Sequence, residues 1–363
     1  MPSVKPGSKI LVTGATGFVA AWIIRRLLER GFRVRGTVRS EAKEFGEKFE
    51  FIVVPDMSKE DAYDEAVKGI DGVKHVASPV DLNADDPQSW FSNQHKPIIL
   101  LNFPLPELIQ PAISGTLGIL SSISKYGTSV KRLVVTSSAV ALCAPPPPSD
   151  RTRQITESDW DESSPKEVQE QGSATPIQTA YRASKVLAEK AAWNFMEGNK
   201  ELRWDLVTII PPWVFGPFLH KVPSPSGLGW SLNFLYKVIR DESSIPGTSL
   251  AEPFGGSAHY VDVRDLADAH VKALEIEEAG NERFIVSAGV FTWQDIVDSL
   301  STSSLVPSLP KLPRGIPGSG KSAHHNLDLN SSKAHRILEM KFMTLEQTAI
   351  DTTSTYKERG WLD

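Results

Sequence analysis

Lys9-Ile10-Leu11-Val12-Thr13-Gly14-Ala15-Thr16-Gly17-Phe18-Val19-Ala20 is the stretch on which the reading of this chain turns. Lys9–Thr13 is apolar and rich in branched residues, as a buried strand requires, and Phe18–Arg30 carries apolar residues at helical spacing until Gly31 closes the run. Gly14 permits a tight turn between them. Gly17 lets a pyrophosphate approach the backbone at the helix N-terminus, with Thr16, Phe18 and Val19 forming the rest of the cradle. Ala20 stands where a third glycine often allows close helix–strand packing, and a methyl group is tolerable there. Glycine turns follow many strands, so the motif alone is weak. Its place at the head of a βαβ unit makes it a dinucleotide signature.

Outward from that turn, the first half alternates short strand-like runs with helical ones. The strands are Lys9–Thr13, Arg33–Val38, Phe51–Val54, Val73–Ala77, Arg132–Thr136 and Leu206–Ile210. The helices are Phe18–Arg30, Lys59–Lys68, Ile109–Lys125 and Tyr181–Glu197. Near-continuous apolar strands separated by amphipathic helices predict an α/β fold, a doubly wound parallel sheet of Rossmann type with helices on both faces. After Pro211 the pattern changes to Pro, Gly and aromatics, which reads as a smaller lobe over the end of the sheet. His259–Val261 and the helical Arg264–Glu275 read as a return to the large domain. The expected division is 1–210 with 257–286 for the dinucleotide domain and 211–256 with 287–363 for a discontinuous substrate lobe. Pro145–Pro148 and the polar stretch to Thr175 read as a spacer loop.

The chain has 363 residues and is 40% hydrophobic, enough for a sizeable core and too much for a disordered chain. A net charge of −5 gives no global attraction to nucleic acid or an anionic membrane. The single cysteine, Cys143, cannot form an internal disulfide and reads as a small buried residue. Met1–Lys9 has no apolar signal region, and Ile10–Leu28 is interrupted by glycines and arginines, so a cytoplasmic, non-membrane protein is expected.

Cofactor choice is written after the second strand. An NAD-type site places Asp or Glu there to hold the ribose 2′-hydroxyl, whereas this chain has Gly36-Thr37-Val38-Arg39 and then Lys43. Two cations suit a 2′-phosphate, so NADP(H) is expected. Tyr181-Arg182-Ala183-Ser184-Lys185 sets a phenol and an amine one helical turn apart. A free phenol, with a pKa of about 10, gives up its proton reluctantly, and an adjacent ammonium would lower that value. Lys185 could also hold the nicotinamide ribose. Thr136-Ser137-Ser138 ends a strand upstream, where a hydroxyl can hold a substrate oxygen.

With those residues in view, the chain resembles the extended short-chain dehydrogenase/reductases. More narrowly it is similar to fungal NADPH-dependent aldehyde and ketone reductases of the methylglyoxal reductase type, with dihydroflavonol 4-reductases and cinnamoyl-CoA reductases more distant. The likeness runs from about Lys9 to Leu300. It is carried by Val12–Ala20, Arg35–Arg39, Asp56-Met57, His75–Pro79, Gly115–Leu117, Val135–Ser138, Tyr181–Lys185 with Ala188-Glu189 and Ala191–Trp193, Pro212–Pro217, and Tyr260–His270. The resemblance implies that Ser138 and Tyr181 contact the carbonyl oxygen, Tyr181 as donor, with Lys185 its partner. It implies that Arg39 and Lys43 read the 2′-phosphate, Asp56 and Met57 border the adenine, Ala77 and Ser78 pass the dinucleotide, and Pro211 and Val214 border the nicotinamide. The aromatic lobe, with Trp213, Phe218 and Trp230, suggests an apolar or aryl carbonyl substrate. A monomer or homodimer is expected, and no metal.

Residues 88–106 depart from the pattern. An apolar segment with Trp90, Phe91, Ile98–Leu101 and Phe103 stands where relatives have a short acidic loop. It reads as a lid or as translated unspliced gene sequence, the second favoured because such a loop is unusual in a compact domain. Gly315–Ser322 spells the P-loop expression but lacks a strand before it and a helix after it, so a tail loop is preferred. His324, His325 and His335 have no carboxylate or Cys at ligand spacing. Two rivals remain. A sugar-nucleotide epimerase or dehydratase is disfavoured by Arg39 and by Ala139–Leu142 in place of Val-Tyr-Gly. A non-enzymatic NADP-sensing regulator is disfavoured by the retained Tyr/Lys pair.

Overall fold

The computed structural model describes residues 3–40, 48–77, 108–145, 151–240 and 258–362. Lys43, Ser78 and the 88–106 segment lie outside the described residues.

Among the described residues, seven strands form one parallel sheet: β1 (Lys9–Val12), β2 (Arg33–Val38), β3 (Phe49–Val53), β4 (Gly72–His75), β5 (Arg132–Thr136), β7 (Asp205–Ile210) and β10 (Arg283–Ile285). Their order in space is β10-β7-β5-β4-β1-β2-β3, so the winding reverses between β1 and β4. Side chains alternate across the sheet. Ile10, Val12 and Val134 enter a core with α1 (Phe18–Glu29) and α6 (Val263–Glu275), whereas Leu11, Leu133 and Val135 enter one with α2 (Ile109–Tyr126) and α4 (Ile177–Gly198). Burial on both faces explains why these strands read as continuous apolar runs.

A second core, that of the smaller lobe, gathers β8 (Trp213–Phe215), β9 (Ala258–Asp262) and β11 (Gly289–Phe291), which form one sheet, with α5 (Trp230–Ile239), α7 (Trp293–Ser301) and α9 (Leu345–Glu358). β6 (Arg153–Ile155) pairs with β12 (Leu327–Leu329) and packs against Ile210 and Ile285 of the main sheet. The remaining described helices are α3 (Ser163–Gln171) and α8 (Ser332–Ile337).

Three sequence expectations need correction. Lys59–Lys68 is a run of turns, with Asp61 at φ 64 breaking helical geometry, although Tyr63, Ala66 and Val67 still bury their side chains as a helix there would. β9 joins the lobe sheet rather than the main sheet, and it serves both cores: Val261 packs into the large domain and Ala258 and Tyr260 into the lobe. The tail is divided too, since Ala334, Leu338 and Met340 pack on the large domain. The P-loop-like stretch makes only a single 3-10 turn at Ser319–Ser322, with Gly318 N–H donating to Asp298 and Ile316 N–H to Gln294.

A buried ion pair fastens the sheet to α6. Arg132 and Asp205, both fully buried, join through Nε to Oδ1 at 2.6 Å and Nη2 to Oδ2 at 2.8 Å. The guanidinium also donates to the carbonyls of Ala273, Ile276 and Glu277, so all its donor directions are used. Asp205→Ala would strand a buried guanidinium, and the expected loss is about 3–5 kcal/mol in urea unfolding. A loss under about 1 kcal/mol would show that the pair does not carry this role.

Candidate active site

Parallel strands deliver their carboxyl ends to one side, and the reversal between β1 and β4 opens a crevice there. The segments after β1, β4, β5 and β7 hold the residues that matter. Gly14 has φ +67, and a Cβ on it would lie 3.1 Å from the Ala77 Cα, so the turn needs glycine for conformation and for clearance. Its N–H donates to the Thr37 hydroxyl at 3.0 Å. The Thr13 hydroxyl accepts from the N–H groups of Val76 and Ala77, both at 3.0 Å, and lies 3.1 Å from His75 Nδ1. Thr13, Thr37 and His75 thus shape the crevice and were missed as site residues. For Thr13 and Thr37 the signal was a hydroxyl at a strand end, able to replace a backbone partner.

α1 begins behind Gly17 with no side-chain cap and no acid in its first turn. Its first N–H groups and the positive end of its dipole face the turn, and an anion fits there. Thr16 and Gly17 are exposed at this point, with Phe18 and Val19 half-buried beside them. Arg39 lies exposed just past β2, and Asp56 lies exposed past the adjacent β3, the two strand ends being joined by Val54 N–H to the Val38 carbonyl at 2.8 Å. Asp56 is held below the usual carboxylate range by the hydroxyl and N–H of Ser58. Met57 packs against Gly115 of α2. These residues fit a dinucleotide: a glycine cradle for phosphates at the switch point and an exposed cation at the end of β2.

Ser138 follows β5, accepts from Val140 N–H at 3.4 Å, and hydrogen-bonds the Tyr181 hydroxyl. α4 begins at Ile177, four residues earlier than expected, so Tyr181 and Lys185 lie well inside a regular helix. The Lys185 Nζ stands 5.7 Å from the centroid of the Tyr181 ring. The structure therefore brings Ser138, Tyr181 and Lys185 together. The electrostatics differ from the expected ones: burial raises the Tyr181 phenol above its usual value, with the Ser138 bond pulling the other way. Burial also brings Lys185 down to about 8. Buried His75 is pushed down to about 4, first by desolvation and then by the Lys185 charge. Lys185, His75, Thr136, Ser137 and Glu189 line a cavity of about 30 Å³, room for one or two waters.

The Pro211 carbonyl accepts from Ala139 N–H at 2.9 Å, which sets the 211–214 segment beside Ser138. Val214 turns toward the large-domain core. Trp213 and Trp230 are half-buried and share Phe234, at 5.5 and 4.6 Å between ring centroids. Phe218 is placed elsewhere: it is 3% exposed and stacked on Trp361 of the tail, so it belongs to the lobe core. Among the described residues, no group of three His, Cys, Asp or Glu could hold a metal, and no helix is long and apolar enough to cross a membrane.

Residues 10–103 and 105–289 match the NAD dependent epimerase/dehydratase family. The chain is 34% identical to the ketoreductase azaE of Aspergillus niger, over 97% of this chain and 98% of that one. It is also 34% identical to the NADPH-dependent methylglyoxal reductase GRE2 of Saccharomyces cerevisiae, over 95% and 97%. The crystal structure of yeast methylglyoxal/isovaleraldehyde reductase Gre2 complexed with NADPH superposes with a TM-score of 0.80 at 31% identity, covering 97% of this chain and 99% of that one.

Lys185 carries a linkage that can be measured. Its folded-state value of about 8 lies below the ordinary 10.5, so between those pH values the unfolded chain binds more protons and stability rises with pH. Relative to Lys185→Met, the parent chain is expected to gain stability from pH 8 to 10.5 and to show a constant difference below pH 7. Paired urea titrations across that range check this, and a difference that does not change with pH would contradict it.

Proposed function

Because the chain belongs to the NAD dependent epimerase/dehydratase family, we propose from its site and its relatives that it is an NADPH-dependent carbonyl reductase, turning an aldehyde or ketone into the alcohol. The observation that carries the reading is the Tyr181 hydroxyl bonded to Ser138 with the Lys185 ammonium over the same ring, beside the glycine cradle.

NADPH, when bound, supplies the hydride for the carbonyl carbon. Gly14, Thr16, Gly17, Phe18 and Val19 would hold its pyrophosphate, Arg39 its 2′-phosphate, Asp56 and Met57 the adenine end, and Ala77, Lys185, Pro211 and Val214 the nicotinamide half. Tyr181 gives the substrate oxygen its proton, and a raised pKa keeps that proton in place at neutral pH until negative charge develops on the oxygen. Ser138 donates a hydrogen bond to the same oxygen. Lys185, charged below about pH 8, stabilises the tyrosinate left behind. The half-buried Trp213 and Trp230 support an apolar or aryl substituent on the substrate. A cytoplasmic location belongs to the same reading.

NADPH consumption against a panel of small aldehydes and ketones tests it directly. Tyr181→Phe is expected to lower kcat about 10²–10⁴-fold with the fold intact by circular dichroism. Near-normal turnover in that variant would remove Tyr181 from the mechanism. Arg39→Ala should raise the KM for NADPH at least tenfold and leave that for NADH nearly unchanged, since one charge-assisted bidentate contact is worth about 1.5–3 kcal/mol. Equal effects on both cofactors would show that Arg39 does not read the 2′-phosphate.

A further inference from the structure

Glu189 sits on α4, one turn beyond Lys185, and is 2% exposed. Its Oε2 accepts from the Ser137 hydroxyl at 2.5 Å, and its Oε1 accepts from the Thr208 hydroxyl at 2.9 Å and from Arg283 Nε at 2.8 Å. Those donors come from the end of β5, from β7 and from β10. A buried carboxylate needs such donors, because leaving it unpaired is costly. Holding a helix against a sheet does not need a carboxylate: Ala183, Val186 and Ala192 on the same helix are buried without one. What the charged array adds is direction. Hydrogen bonds set register and distance, whereas apolar contacts tolerate sliding.

The register concerned is that of the active site. Ser137 immediately precedes Ser138, and its N–H is held by the Ile209 carbonyl at 2.8 Å. The strand end therefore touches α4 at two levels, Ser138 at Tyr181 and Ser137 at Glu189, about two helical turns further on. Lys185 lies between these levels and shares the small cavity with Ser137 and Glu189. With both ties made, the strand end can neither slide along α4 nor rotate against it.

We infer that the hydrogen-bonded array Ser137–Glu189–Arg283 is a positioning device that holds the Ser138 hydroxyl in register with Tyr181. Neither Ser137 nor Glu189 touches the substrate. Both act through Ser138, so the inference rests on the reading of Ser138 and Tyr181 as the catalytic pair.

A double-mutant cycle on the full chain, assayed with NADPH and one small aldehyde per mole of folded protein, separates the two. Ser137→Ala removes the tie and leaves Glu189 with Thr208 and Arg283. It should lower kcat about tenfold, as a misplacement of under 1 Å does, and leave the KM for NADPH within about twofold. In a Ser138→Ala background the same substitution should cost nothing more, because the group it positions is gone. A kcat unchanged by Ser137→Ala, or an equal factor lost in both backgrounds, would overturn the positioning role. Ser137→Cys, which fills the space but donates weakly, runs the same cycle if Ser137→Ala does not fold. Tyr181→Phe is assayed alongside: if it keeps normal turnover, the catalytic reading falls. If it loses turnover while Ser137 behaves additively, only the positioning role falls.

Discussion

The reversal of strand order between β1 and β4 is the constraint from which the rest of the molecule follows. A parallel sheet sends every carboxyl end to the same side, and the reversal sends the following segments apart, leaving a crevice between them. The glycine turn after β1, Ala77 after β4, Ser138 after β5 and Pro211 after β7 meet at that crevice although they are separated by up to about two hundred residues of chain. Hydroxyls bind the crevice together. Thr13 spans from β1 to the end of β4, and Thr37 from β2 to Gly14.

Burial then decides the electrostatics. Tyr181 and Lys185 are both shifted mainly by loss of water, in opposite directions: the phenol is held protonated and the amine is brought toward neutrality. An exposed pair at the same helical spacing would show neither shift. Holding an amine in such a place costs stability at neutral pH, a common feature of functional sites. Two buried ion pairs elsewhere, Arg132 with Asp205 and Glu189 with Arg283, fix how helices sit on the sheet.

The lobe is joined to the large domain by shared elements rather than by a hinge-like linker alone. β9 alternates its side chains between the two cores. Trp22 of α1 donates to the Pro217 carbonyl at 2.6 Å. Phe218, read from composition as a substrate contact, is packed into the lobe core against Trp361, which is why it is unavailable to a ligand.

Local pattern alone determined the parallel sheet, the glycine turn and the Tyr181–Lys185 pair, because each is written within one or two turns of chain: apolar runs, glycines at a strand end, a four-residue spacing. It could not separate Lys59–Lys68 from a helix, since the apolar spacing there is helical and only the backbone at Asp61 breaks it. It could not assign β9 to its sheet, or see Thr13, Thr37, His75 and Glu189 as shaping the site. Those roles depend on partners 19 to 94 residues away. Tertiary structure decided them, because a hydrogen bond or a desolvated charge exists only where distant segments are brought within about 3 Å and water is excluded.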